Sequence, residues 1–275
     1  MRVQHNMASA NTNRQLGITT GNLAKSTEKL SSGYKINRAG DDAAGLTISE
    51  KMRGQIRGLE QASTNAQDGI SLIQTAEGAL NETHSILQRM RQLAVQASND
   101  TNVTADRTAI QEEIKALASE ITRIGMQTEF NTMKLLSGGF KDKSFHIGAN
   151  KGQSIEVSID KMTASGIGVS TKGTNKIAVT GQKVANSAIE TINKALEKVS
   201  TQRSKLGAIQ NRLEHTIANA DNTAENLQAA ESRIRDVDMA KEMVKYSKDN
   251  ILQQAAQSML AQANQSTQGV LSLLQ

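Results

Sequence analysis

Residues 192–234, INKALEKVSTQRSKLGAIQNRLEHTIANADNTAENLQAAESRI, place Ile192, Val199, Leu206, Leu213, Ala220, Leu227 and Ile234 at seven consecutive positions seven apart. An α-helix returns to the same face after two turns, so this stretch reads as one long helix packed along its length. A matching run lies upstream, from Thr47 to about Asn99. There Ile73, Leu80, Leu87 and Ala94 make one seam, Ala76, Thr83, Met90 and Ala97 a second, and Leu72, Ala79, Ile86 and Leu93 widen the stripe. A stripe this broad asks for more than one partner helix.

The segments between these runs follow from local chemistry. At Asn99-Asp100-Thr101-Asn102 short polar side chains compete with helical hydrogen bonds, and Thr104 is expected to cap a second helix reaching about Gln127. Ile110, Ile114, Leu117, Ile121 and Ile124 give that helix one apolar face, so the pair reads as an antiparallel hairpin. Past Phe130 the period changes: Phe145 and Ile147, then Ile155, Val157 and Ile159, alternate with polar residues around the turn sequence GANKG, which predicts a small β-hairpin. Gly166, Gly168, Gly173 and Gly181 among many Ser and Thr predict an exposed link. Both chain ends are amphipathic. Leu16, Leu23 and Leu30 are seven apart, and Ile251, Leu252, Ala255, Met259, Ala263 and Val270 mark a last helix. The fold class is therefore mainly α, a long antiparallel helical bundle with a small β-hairpin region and the two termini paired. A lone pair of helices has little core of its own, so these ends need partners.

Composition narrows the function. Aromatic residues are 2% of the 275 positions, only Tyr34, Phe130, Phe140, Phe145 and Tyr246, so helical contacts must come from Leu, Ile, Val, Met and Ala. The methionines of the helical stripes, Met52, Met90, Met126, Met239, Met243 and Met259 among them, are expected in the core. Proline is absent, which leaves long helices unbroken, and cysteine is absent, which excludes disulfides and thiolate metal sites. The net charge is +5, but Lys and Arg interleave with Asp and Glu and no aromatics accompany them, so nucleic acid is not an expected partner. No window suggests a membrane span, and the N-terminus lacks an apolar signal-peptide core. If the chain leaves the cell, another route carries it.

Candidate chemistry is sparse. Asp41 and Asp42 adjoin each other ahead of the first long helix, where a carboxylate can accept orphan backbone N–H groups and meet the positive end of the helix dipole. With no His or third acid nearby, they read as helix caps and not as a metal or acid/base pair. His5, His84, His146 and His215 lie in different elements, and neither a phosphate loop nor a GxSxG elbow occurs. No catalytic, cofactor or metal site is expected, and the chain does not read as an enzyme.

The residues at both ends match a family. LSSGYKINRAGDDAAGLTISEKMRGQIRGL (30–59) with NAQDGISLIQTAEGALNETHSILQRMRQLAVQ (65–96), and AESRIRDVDMAKEM (230–243) with ILQQAAQSMLAQANQSTQGVLSLLQ (251–275), strongly resemble bacterial flagellin. The likeness covers nearly the whole chain, and the short middle makes it a minimal form without large variable outer domains. The resemblance implies a subunit that is secreted through the flagellar type III export channel and polymerises into the flagellar filament for swimming motility. It implies residues 1–42 as an N-terminal inner (D0-like) helix and spoke and 43–129 as D1-like helices. Residues 130–185 become the hairpin and link, 186–235 the C-terminal D1-like helix, and 236–275 the C-terminal spoke and inner helix.

The same resemblance implies site residues and partners. Polymerisation falls to Leu16, Leu23, Leu30, Ile251, Leu252, Met259 and Leu260. QRMRQLAVQ matches the family segment sensed by Toll-like receptor 5, which points to Arg89, Leu93 and Glu113, although Leu93 can equally be a packing residue. An export chaperone is expected on Ile251–Leu274, and filament cap and junction proteins are further partners. Two rivals share some of these features: a hook-filament junction protein and a cytoplasmic signalling coiled coil.

Overall fold

The computed structural model describes residues 6–170 and 177–272. His5, Gly173 and the end of the expected chaperone segment, Leu274, lie outside the described residues. Two compact units divide the chain, Met1–Gln55 with Glu225–Gln275, and Ile56–Ala224. Two helices run through both ranges, α2 (Ala43–Ala97) and α5 (Gln182–Arg235).

The first unit contains the terminal helices α1 (Met7–Ser32) and α6 (Met239–Ser272), packed antiparallel on one another. Asn6 caps α1, its side chain accepting from the Ser9 N–H at 3.0 Å, and Gly33 ends it with a left-handed φ of 74°. Polar rungs set the register of the pair: Asn6 Nδ2 donates to Ala263 O at 2.9 Å, Ser9 Oγ to Asn264 Oδ1 at 2.7 Å and Gln253 Nε2 to Thr20 Oγ1 at 3.3 Å. Leu16, Leu23, Leu30 and Leu260 are half-buried.

The second unit holds the core. From α2, Leu72, Ile73, Leu80, Leu87, Met90 and Leu93 are buried; α3 (Thr104–Gln127) adds Ile110, Ile114 and Ile121; α5 adds Ile192, Val199, Leu206 and Leu213. Truncating one such residue to Ala costs about 2–5 kcal/mol. Arg107 fixes the α2–α3 turn, donating from Nε to Ala97 O at 3.1 Å and from Nη2 to Asn99 O at 3.2 Å, so a cation serves the carbonyl end of α2. Thr104 is already helical and does not cap α3. Asp106 does that work from inside the first turn, accepting from the Val103 N–H at 3.1 Å.

The β region differs from expectation in two ways. Strands β1 (Glu129–Phe130) and β2 (Met133–Lys134) form a first small antiparallel hairpin ahead of the expected one, β3 (Lys143–His146) paired with β4 (Ser154–Val157). The first turns on Asn131 and Thr132 with φ of 47° and 65°, the conformation of a tight two-residue hairpin turn, and it carries no glycine to announce it. The described residues of the segment expected to be an exposed link are instead largely inside. A short helix, α4 (Ala164–Ile167), and the residues around it bury Ile167, Val169, Ile177 and Val179 in the core. Gln111, itself buried on α3, holds this segment by accepting from the Val179 N–H at 2.7 Å.

The methionines are a further correction. Met90 is fully buried, but Met126, Met239, Met243 and Met259 are exposed, because a stripe position reaches the core only where another element covers it.

Candidate functional site

The entry to α2 is built by the two aspartates. Asp42 Oδ1 accepts from the Gly45 N–H at 2.9 Å, three residues on, which is N-cap geometry. Asp41 turns the other way: its Oδ2 accepts from the Asn37 and Arg38 N–H groups at 3.1 and 3.0 Å and closes the turn before the helix. Those backbone donors, Arg38 first, hold the Asp41 carboxyl below its ordinary value of 3.8. A Cβ on Gly45 would press into the Asp42 carboxylate and come within 2.9 Å of Ile36 Cδ1, so any side chain here must displace the capping carboxylate or Ile36. Asp238 repeats the device at α6, accepting from the Lys241 N–H at 3.1 Å, and that bond is the main reason its carboxyl is also lowered. Among the described residues no group of three or more His, Cys, Asp or Glu is placed to hold a metal ion.

The two stretches that interrupt the helices, residues 33–42 and 236–238, meet each other. Tyr34 and Asp236 form an antiparallel bridge, with Lys35 N–H donating to Arg235 O at 2.6 Å and Val237 N–H to Gly33 O at 3.0 Å. Nothing local in the sequence marked this pairing.

Beyond this bridge α6 presents uncovered apolar side chains. Ile251 is 67% exposed, Met259 59% and Leu252 45%, whereas the half-buried Leu260 and Ala263 lie on other positions of the same helix. Val244, 71% exposed, continues the display and was not among the residues expected from the sequence. Large apolar surface left in water on a paired-helix unit marks an interaction face.

The three residues expected at a receptor site sit on α2 and α3. Arg89 Nε and Nη2 donate to Glu113 Oε1 at 3.0 and 2.8 Å, an exposed ion pair across the helical hairpin. Leu93 is 2% exposed and belongs to the core.

Comparison with known proteins places this architecture. The model of the bacterial flagellin N-terminal helical region matches residues 3–141, and that of the C-terminal helical region matches residues 189–274. The chain belongs to the bacterial flagellin family. It is 58% identical to the flagellin of Halalkalibacterium halodurans over 274 residues, covering 100% of both chains. It is 52% identical to the flagellar filament 33 kDa core protein of Treponema phagedenis over 285 residues, again covering 100% of both. Among solved structures it resembles the crystal structure of Bacillus cereus flagellin, with a TM-score of 0.50 and 28% identity over 61% of this chain and 94% of that one. Flagellins are structural proteins, and this one is a short form: the described residues of 142–188, between the two matches, hold β3, β4, α4 and the start of α5.

Proposed function

We propose that this flagellin is the structural subunit of a bacterial flagellar filament and that its terminal helices are the device by which copies polymerise. The observation that carries this reading is the exposure of Ile251, Leu252 and Met259 on a helix whose main partner among the described residues is α1. Burying one such side chain contributes about 1.5–3 kcal/mol, and several repeated along a helix offset the ordering of the ends once neighbouring copies supply the surface. On this reading residues 1–42 and 236–275 form the inner wall, 43–129 and 186–235 the surrounding layer, and 130–185 its outer edge. Adding short filament seeds to purified monomer tests it. Growth should be abolished by removing residues 1–30 or residues 245–275, and growth of either truncated chain would reject the role of the termini. An intact chain that stops at a discrete oligomer would favour a junction protein instead.

The subunit reading brings export and recognition with it. Secretion through the flagellar type III channel places the protein outside the cell. Before secretion Ile251–Leu274 would dock on the export chaperone, with cap and junction proteins met at the two filament ends. Unchanged chaperone binding after deletion of the last 40 or so residues would reject that docking. For Toll-like receptor 5, Arg89 and Glu113 supply an exposed charged pair, and Leu93 acts by packing beneath it. Full signalling by the triple alanine variant of Arg89, Leu93 and Glu113 would reject the assignment.

A further inference from the structure

A basic groove of about 680 Å³ runs along the second unit between α5 and the segment 160–167. Lys141, Lys161, Lys194, Lys198 and Lys205 line it, against two carboxylates, Asp160 and Glu197. Of these lysines only Lys194 is ion-paired among the described residues, with Glu190 at 2.7 Å. Lys194, Lys198 and Lys205 stand on one face of α5 and span on the order of 16 Å at 1.5 Å per residue. Lys161 faces them from the other wall, and its position is built. A Cβ on Gly138 would come within 2.9 Å of Lys161 Cβ, and one on Gly166 would collide with the Lys161 carbonyl oxygen, so two glycines make the space that this lysine occupies. The floor is the buried Met162, Ile167 and Gln202. The groove continues past Lys194 into a smaller cleft of about 280 Å³, where the Ser187 and Thr191 side chains follow the lysines along the same helix.

We infer that this groove binds a linear anionic polysaccharide. Its length and its row of like charges fit a repeating polyanion better than a single small anion; the Thr201 hydroxyl between the lysines suits a sugar hydroxyl or sulfate group, and the Ser187 and Thr191 oxygens beyond Lys194, whose protons go to the Lys183 and Ser187 carbonyls, can accept from sugar hydroxyls. Among the described residues no aromatic side chain lines either cleft, so they offer no stacking platform of the kind that binds single-stranded nucleic acid. The inference rests on the filament reading only for where such a polymer would be met. Binding is measured on the unassembled chain, so its failure leaves the seeded-growth result untouched.

The test is titration of the intact monomer with a heparin decasaccharide at several salt concentrations, beside oligo-dT of similar charge and a neutral dextran fragment. The expected result is saturable, salt-dependent heparin binding that exceeds binding of oligo-dT, with no binding of dextran. The quadruple variant Lys161→Gln, Lys194→Gln, Lys198→Gln, Lys205→Gln should weaken heparin binding at least about tenfold and lower the salt slope by about one per lysine removed, with helicity unchanged. A control that removes as many exposed lysines elsewhere, Lys25→Gln, Lys35→Gln, Lys51→Gln, Lys248→Gln, should change affinity by less than about threefold. Equal loss in the two variants would mean that net charge alone draws the polymer and would overturn the assignment. Oligo-dT binding as tight as heparin would overturn it too.

Discussion

The guanidinium carbon of Arg235 stands 4.6 Å from the centroid of the Tyr34 ring, at the point where the chain leaving α1 crosses the chain leaving α5. The cation over the ring and the two flanking backbone hydrogen bonds fasten the interruptions in the helical pattern to one another. A cation–π contact at a partly exposed site contributes about 0.5–1 kcal/mol. A double-mutant cycle of Tyr34→Leu and Arg235→Gln should return a coupling of that size, with faster amide exchange at Lys35 and Val237. A coupling indistinguishable from zero would leave the backbone bridge as the only fastening.

Gly45 and Asp42 act as a unit at the start of α2. Asp42→Ala should cost about 1 kcal/mol of stability, as loss of a cap does. Gly45→Ala should be destabilising despite alanine's better helix propensity, because its methyl displaces the Asp42 carboxylate or Ile36. Chemical denaturation of the two variants checks both signs.

Acid should loosen the Asp41 turn and the Asp238 cap in a defined direction. Asp41 and Asp238 have folded values lowered by the backbone N–H groups that they accept. Their contribution is complete above the unfolded carboxylate range near pH 4, and it is lost as pH falls through the lowered folded values. NMR titration should move the amide signals of Arg38 and Lys241 together only below about pH 4, and Asp238→Asn should remove the Lys241 step while preserving the helix. Amide steps near neutral pH would contradict the lowered values.

The ion pair between Arg89 and Glu113 is exposed on both sides, and such pairs are worth about 0–1 kcal/mol. Alanine at both positions should therefore leave the melting temperature within a few degrees of the parent while sharply reducing signalling through Toll-like receptor 5. Leu93→Ala alone should destabilise the chain by about 2–5 kcal/mol, since it opens a cavity in the core. Stability and signalling measured on the same variants separate the two effects.

The long-range order of this chain was readable because helical periodicity is regular. The heptad beginning at Ile192 and the triple seam of α2 correspond closely to buried positions, down to Ile73, Leu80 and Leu87. The same pattern could not say what covers each stripe position. Leu227 and Ile234 keep the beat yet are only half-buried, and Met243 and Met259 are exposed, because a period defines a face and not its neighbour. The segment 163–181 misled for another reason. Its Gly, Ser and Thr outweigh a few apolar residues in composition, whereas Ile167, Val169, Ile177 and Val179 are buried in the core and Gln111 bonds the Ile177 carbonyl and the Val179 N–H. The bridge at Tyr34 joins residues some two hundred positions apart, and no local signal specifies such a pairing.

The most direct test of assembly through the exposed apolar face is the elongation rate of seeded filaments built from Ile251→Ser and Met259→Ser subunits. Both side chains are largely in water in the single chain, so the monomer's thermal melt should stay at the parent value while elongation falls at least about tenfold, the loss expected from about 1.4 kcal/mol or more per contact. Elongation at the parent rate from both variants, with the melt unchanged, would contradict the claim that this face of α6 holds the filament together.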